Sequence, residues 1–425
     1  MEKSFDKKIY TDILIIGGGV IGSASCYYLS KKNLDVTLVE KCGIATGSSG
    51  SCDGFVFLQS KNDRDLISLT LKSLEIFKNL GSELSYDIEF NRCGGLVIFA
   101  DKYSPEDISF FLEGQKKNCI KSEVLDYNGL KKIEPFISKD AKYATYCRDE
   151  AQINPIALNF GFILEAKRKG ARVFTNEEVL SFEIDKNSAA SESPIAVKNR
   201  LKLVKKVITN TGRQIFAKDI ILCTGAWTGN LGKVLGINIP IKPRRGNLVV
   251  TEVVPEIIRH LILDYDYICC KFDENRKMGL TVEQTKNGNL LIGSTREFTG
   301  FKDDYDLKKI SQIVRRAQKY FPLLSDVSLI RIFSGFRPYS PDFKPLIGLI
   351  PSFSNLWIAA GHEGDGIALS PVTGMLVSEL ILRKIKFLSD IVWMGGINYP
   401  GLYRGLKDFE NIDVRKFSPE RISLL

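Results

Sequence analysis

Ile13-Leu14-Ile15-Ile16-Gly17-Gly18-Gly19-Val20-Ile21-Gly22 is the stretch that decides how this chain folds: an apolar strand enters a glycine-rich turn, and an apolar helix leaves it. Farther on, Val36-Thr37-Leu38-Val39 reads as a second strand that closes on Glu40. Residues 10–40 thus form one βαβ unit of the dinucleotide-binding kind. Gly17 allows the tight turn, Gly19 lets backbone approach a pyrophosphate, and Gly22 lets the helix pack closely on the sheet. Val20 and Ile21 open the helix, whose free N–H groups and positive dipole end face the phosphates. Glu40, about twenty residues past the first glycine, can accept hydrogen bonds from both hydroxyls of an adenosine ribose and would repel a 2′-phosphate. FAD or NAD is expected rather than NADP. A glycine-rich turn alone marks many ordinary strand-to-helix connections. The strand before it and the acid after it are what point to a nucleotide.

A chain of 425 residues exceeds one ordinary core, which suggests roughly two or three domains. Hydrophobic residues at 44% and charged residues at 26% describe a soluble globular protein rather than a disordered or membrane one. The apolar runs stop short of the roughly twenty residues that span a bilayer, so no transmembrane segment is expected. A charged N-terminus leading straight into the first strand makes a poor secretory signal, and a cytoplasmic location is expected. The net charge of +9 would suit nucleic acid if it were clustered. Lys202, Lys205 and Lys206 beside the Ser- and Asn-rich residues 187–193 look instead like a solvated hairpin, and the other lysines are dispersed. No nucleic-acid partner is expected.

Nine cysteines, Cys26, Cys42, Cys52, Cys93, Cys119, Cys147, Cys223, Cys269 and Cys270, include no C-x-x-C spacing. That pattern supports neither a disulfide framework nor a metal or iron–sulfur site, and reads as free thiols in a reducing compartment. Cys42 and Cys52 flank a loop expected near the cofactor, which leaves a covalent flavin link open beside the plainer reading of small buried residues.

A second α/β tract runs over residues 154–185: Pro155 opens a helix to about Lys169, Gly170 ends it, and a strand begins at Arg172. Strands at 178–184 and 202–209 make a meander. Asp219-Ile220-Ile221-Leu222-Cys223-Thr224-Gly225-Ala226-Trp227 is a buried strand running into a glycine turn and a short helix, a second crossing suited to the edge of a nucleotide. Residues 90–146 and 245–332 carry alternating short strands at 95–100, 247–252, 278–283 and 289–294, with Asn287-Gly288 as a hairpin turn. These predict an antiparallel sheet built from two inserted segments. Pro255 is expected to open an amphipathic helix that holds His260 in a structural role. Near the end, residues 356–360 read as a strand, Gly361-His362-Glu363-Gly364-Asp365-Gly366 as a turn, and residues 367–383 as a helix. In a flavoprotein such a helix end can stabilise negative charge at the N1–O2 edge of the ring.

With these motifs the chain resembles FAD-dependent amine and amino-acid oxidoreductases of the D-amino-acid oxidase superfamily. Its members include glycine oxidase, the β subunit of sarcosine oxidase, and FAD subunits of dye-linked proline, hydroxyproline and opine dehydrogenases. The resemblance rests on GGGVIG with Glu40, Ala45-Thr46-Gly47-Ser48-Ser49-Gly50, Cys52-Asp53-Gly54-Phe55, Cys223-Thr224-Gly225-Ala226-Trp227, Gly335-Phe336-Arg337-Pro338 with Asp342, Lys344-Pro345 and Ile347-Gly348, and residues 361–374.

The fold it implies is α/β plus α+β. A Rossmann-like FAD-binding domain, discontinuous in sequence (1–89, 147–244 and 333–425), would carry an inserted antiparallel-sheet substrate domain (90–146 and 245–332). FAD would be bound by Gly17, Gly19, Val20, Ile21, Gly22, Glu40 and Lys41. Ser48, Ser49 and Gly50 would sit by pyrophosphate or flavin, Val179 by adenine, and Thr224, Gly225 and Trp227 at the nucleotide edge. Gly361, His362, Gly364, Asp365, Gly366 and Ile367 would border the isoalloxazine.

The resemblance also implies that Arg337 binds the substrate carboxylate, a role its planar charged fork suits; an ion pair with Asp342 is the alternative. His362 tempts a general-base role, but the resemblance implies a cofactor contact, because members take a hydride directly from the neutral amine. Thr281, Glu283 and Gly293-Ser294-Thr295-Arg296-Glu297 either line the substrate face or follow ordinary strand alternation. The implied enzyme oxidises the C–N bond of a small amino or imino acid (CH–NH or CH–NH2) by hydride transfer to flavin N5. It would be the FAD subunit of a multisubunit dehydrogenase with an electron-transfer partner chain. A stand-alone oxidase making hydrogen peroxide, a noncatalytic flavin-binding scaffold and a tRNA-modifying flavoprotein are the alternatives.

Overall fold

The computed structural model describes residues 7–185, 201–273, 275–391, 402–403, 406–409 and 412–422; the Ser-rich stretch at 187–193 lies outside them. Packing divides the chain into two compact units, one of residues 1–49, 159–242 and 338–425, the other of residues 50–158 and 243–337.

In the first unit, β1 (Lys8–Ile16), α1 (Val20–Ser30) and β2 (Val36–Glu40) form the βαβ unit expected from the sequence. The two strands are parallel. Gln214–Leu222 pairs parallel with the other side of β1, Leu356–Ala360 parallel with Gln214–Leu222, and Arg172–Thr175 parallel with β2. Leu346–Leu349 closes one edge antiparallel, and Leu203–Thr209 and Val179–Asp185 make the antiparallel meander, for eight strands in all. Strands covered on both faces need continuous apolar sequence. Ile13, Leu14 and Ile15 meet that need at 1%, 0% and 0% exposure.

Helix Gly366–Ile391 packs against α1. Its residues 366–386 are long and apolar enough to cross a membrane, although apolar run length in the sequence predicts no such segment; 72% of the apolar window within that stretch is buried in the protein. Lys384 ties the helix to the sheet through a buried ion pair with Asp219, whose Oδ1 also accepts from Trp357 Nε1 at 2.8 Å.

The second unit holds another eight-stranded sheet. Its two chain segments are joined by Gly95–Phe99 lying parallel to Leu261–Asp264, while the neighbouring pairs run antiparallel. Helix Leu307–Tyr320, capped by Asp306, covers strands Met278–Gln284 and Asn289–Thr295 with Ile310, Ile313, Ala317 and Tyr320.

Residues 50–89, 147–158, 243–244 and 333–337, expected with the nucleotide-binding domain, pack in this second unit. Buried Glu150 accepts from the backbone N–H groups of Leu58 and Gln59, both at 2.8 Å, and Phe77 stacks on Phe90 at 5.6 Å. Amphipathic helix Arg64–Leu84 declares an apolar face, but only these distant partners decide which core receives it.

The helix expected from Pro255 does not form. Gln284 Oε1 accepts from Ile257 and Ile258 N–H, and Glu134 Oε1 accepts from Arg259 and His260 N–H and contacts His260 Nδ1 at 2.6 Å. Side chains from elsewhere thus take the donors that a helix would use internally. His260 is held by Glu134 and does not lie on a helix.

Candidate active site

Within the first unit, the glycines of the first turn are required by contact. Gly17 has φ +111°, and a Cβ there would stand 2.5 Å from the Cys223 carbonyl oxygen; a Cβ at Gly22 would stand 1.9 Å from that of Gly17. Gly19 is the N-cap of α1, extended and without a side-chain cap. Val20 N–H donates to Ser49 Oγ at 2.9 Å, which brings Ser49 and its turn Ser48–Gly50 to the helix end. A glycine-lined helix N-terminus whose first N–H meets a serine hydroxyl fits a pyrophosphate.

Glu40 Oε2 accepts from Gly18 N–H at 2.6 Å and Oε1 from Cys42 N–H at 2.9 Å. The carboxylate therefore shapes its own loop, and each oxygen keeps a lone pair for a ribose hydroxyl. Glu177 N–H donates to the Glu40 carbonyl at 2.9 Å, which ties the start of the Val179 strand to this corner. Lys41 Nζ lies 5.0 Å from the centre of the Trp227 ring, and a Cβ on Gly47 would be 3.4 Å from that ring. Thr224 and Thr228 hydroxyls meet at 3.0 Å on the next turn, after Cys223 N–H donates to the Ile16 carbonyl at 2.8 Å. Sequence-predicted residues from four separate stretches thus gather round one helix end, and the start of the Val179 strand is tied to Glu40.

Gly361, with φ +84°, starts the late turn. Asp365 N–H donates to the His362 carbonyl at 2.9 Å, and the Asp365 carbonyl accepts from Leu369 N–H at 3.0 Å, so Asp365 stands just before the helix that begins at Gly366 and Ile367. Gly364 N–H donates to Glu363 Oε2 at 2.6 Å. His362 is buried, with Nε2 3.1 Å from Thr373 Oγ1, and burial pushes its imidazole down to about 3. A ring held neutral and turned to its own helix is no proton acceptor at ordinary pH.

In the second unit, Arg337 lies on strand Leu329–Tyr339. Its Nη1 donates to the Thr295 carbonyl at 3.0 Å and its Nη2 to Ser294 Oγ at 2.9 Å. Asp342, the alternative partner, is instead bound by Arg421 Nε at 2.7 Å. A guanidinium has five N–H donors, so two bonds leave a fork free in number to meet a carboxylate.

Two acids join this region, Asp53 and Glu283, for which the sequence alone indicates no definite role. Burial, and then the Asp53 charge, push Glu283 up to about 8; burial also raises Asp53, against the pull of Arg337 and Arg296. Cys52 is raised too, by burial and by both acids, so its thiol stays protonated and is a poor nucleophile for a covalent flavin link. The Cys52-Asp53-Gly54 motif was the available signal for Asp53. Among the described residues no group of three or more His, Cys, Asp and Glu is placed to hold a metal ion.

Residues 12–380 match the family model described as FAD dependent oxidoreductase, DAO. The chain is 27% identical over 389 residues to glycine oxidase of Bacillus subtilis, covering 89% of this chain and 94% of that protein. It is 26% identical over 411 residues to hydrogen cyanide synthase subunit HcnC of Pseudomonas aeruginosa, covering 87% and 92%. The crystal structure of glycine oxidase from Geobacillus kaustophilus superposes with a TM-score of 0.77 at 24% identity, covering 88% and 95%, which shows a shared fold. A family match that begins in the first strand and ends in the last long helix leaves one conclusion: the chain belongs to the DAO family of FAD-dependent oxidoreductases.

Proposed function

We infer that this enzyme oxidises the C–N bond of a small amino or imino acid, and that it works in the cytoplasm as the FAD subunit of a multisubunit dehydrogenase. The observation that carries the reading is Arg337, half-buried, fixed by Thr295 and Ser294, with donors to spare. Held there by its carboxylate, a substrate presents its α C–H in one orientation, and positioning supplies much of the rate. FAD, when bound, accepts the hydride. Its ADP half would be held by the α1 N-terminus with Glu40, Ser48 and Ser49, its adenine side by Val179 and Trp227, and its ring by residues 361–367. The subunit role is supported by the likeness to HcnC, itself a synthase subunit by name. The likeness to glycine oxidase supports a second reading, a stand-alone oxidase that reduces oxygen to peroxide.

The test is anaerobic bleaching of the flavin by glycine, sarcosine, proline, hydroxyproline and D-amino acids. At least one should bleach it, and bleaching by none overturns the assignment. Peroxide formed in air, compared with reduction of an artificial dye without oxygen, separates oxidase from dehydrogenase.

A further inference from the structure

One face of the second unit's sheet carries more chemistry than a carboxylate clamp requires. Arg337 lies over Gly246, and a Cβ at Gly293 would meet Leu248 Cδ2 at 2.2 Å and Thr281 Oγ1 at 2.9 Å, which puts these side chains on one face. Glu283, two residues beyond Thr281 on strand Met278–Gln284, shares it. Residues 51–54 cross that face. A Cβ at Gly335 would stand 2.2 Å from the Ser51 carbonyl oxygen, while Gly54 N–H donates to Glu283 Oε1 at 2.9 Å. Between those anchors is Asp53, within the fields of Arg337, Arg296 and Glu283.

The carboxylates are oriented by neutral donors. Glu283 Oε2 accepts from Gln152 Nε2 at 3.2 Å, and Asp53 accepts from Phe55 N–H. Thr281 supplies an independent sign of a ligand: its Oγ1 is buried, at 1% residue exposure, and has no hydrogen-bond partner among the described residues. A buried hydroxyl left so is costly unless something that binds there satisfies it.

We propose that Asp53, Glu283 and Thr281 form the cation end of the substrate site, receiving the ammonium group of the amino acid whose carboxylate Arg337 holds and taking its proton. This rests on the amino-acid reading above. In the step an N–H bond of the ammonium breaks and an O–H bond forms on the carboxylate pair. No electrons are transferred, and the product is the neutral amine that can lose a hydride. The proton that the pair held at rest passes to water as the ammonium arrives, so the pair ends with one proton and the bound amine is neutral. Paired acids suit this task, because burial and mutual repulsion let them hold one proton near neutrality and exchange it with an arriving cation. Cys52, Asp53, Cys93, Arg296 and Arg337 are the charged and titratable groups that act on Glu283 and its partner.

The experiment uses the FAD-loaded enzyme and two probes that have no α-hydrogen to lose. One is 2-aminoisobutyrate; the other is pivalate, which has a methyl group in place of the ammonium. Calorimetry in buffers of different ionisation enthalpy reads affinity and proton release together. At pH 7, 2-aminoisobutyrate should release up to about one proton on binding, fading above about pH 8, and pivalate should release none. Glu283→Gln and Asp53→Asn should each weaken 2-aminoisobutyrate at least ~10-fold and abolish the release, with pivalate binding unchanged. Thr281→Val should keep or raise Tm while weakening 2-aminoisobutyrate. Acid variants that bind both probes and release protons like the parent overturn the proposal, as does a Thr281→Val variant that loses Tm and binds normally. Loss of both probes in Arg337→Ala supports the clamp. A parent that binds neither probe overturns the carboxylate reading and this proposal with it.

Discussion

Arg337 fills the volume that a side chain at position 246 would need: a Cβ on Gly246 would stand 2.1 Å from Nη1 and 2.6 Å from Cζ and Nη2. Gly246→Ala must therefore push the guanidinium off Thr295 and Ser294. KM for a carboxylated substrate should rise ~10-fold or more, with flavin content per chain unchanged. Steady-state kinetics beside flavin absorbance checks both, and an unchanged KM would show that the fork moves without consequence.

Arg337→Ala removes a charge-assisted fork worth about 1.5–3 kcal/mol to a carboxylate. The flavin should stay bound while apparent affinity for carboxylated substrate falls roughly tenfold to a hundredfold. Unchanged affinity would take Arg337 out of the site.

Gly22→Ala sets a methyl carbon 1.9 Å from the Gly17 carbonyl oxygen, which is backbone and has little room to yield. The α1 N-terminus must shift from the turn that it completes. The purified variant should be colourless or nearly so at 450 nm, and a fully yellow variant would refute the close-packing argument.

Asp219→Ala leaves buried Lys384 without its carboxylate and Trp357 Nε1 without its acceptor. A buried charge stripped of its partner costs about 3–5 kcal/mol, whereas replacing both members with apolar groups is often neutral. Denaturant unfolding should show the large loss in Asp219→Ala and substantial recovery when Lys384→Met is added.

His362 is held neutral in the folded protein, lowered from 6.5 to about 3 by burial. The unfolded chain therefore binds more protons in that interval. The stability it contributes is complete above about pH 6.5 and falls by roughly 1.4 kcal/mol per pH unit below it. Between pH 7 and pH 5 the parent should lose about 2 kcal/mol more than His362→Gln does in urea unfolding. Equal slopes would mean that the imidazole reaches water.

The βαβ opening and the roles of Gly17 and Gly22 were legible in the sequence because they are local: strand, turn and helix are neighbours in the chain, and a missing Cβ is visible in one letter. The strands of the second sheet were legible for the same reason, through alternation and turn residues. Other features were settled by partners that no local pattern reveals. The His362 ring, in a loop expected at the cofactor, bonds Thr373, and Glu40, expected at the ribose, also binds its own turn through Gly18 and Cys42. The Ile257 to His260 segment has a helical pattern, but Glu134 and Gln284 claim its N–H groups.

The nucleotide-binding opening and the family are written in the chain, since both rest on short-range backbone geometry and on motifs that stand whole in it. Where charge is buried follows only from packing. Gly54 and Glu283 are hydrogen-bonded across 229 positions, and Asp53 meets Glu283 and Arg337 only because that strap crosses the sheet face. Burial and electrostatic neighbourhood are properties of distance in space, and sequence separation carries no measure of it.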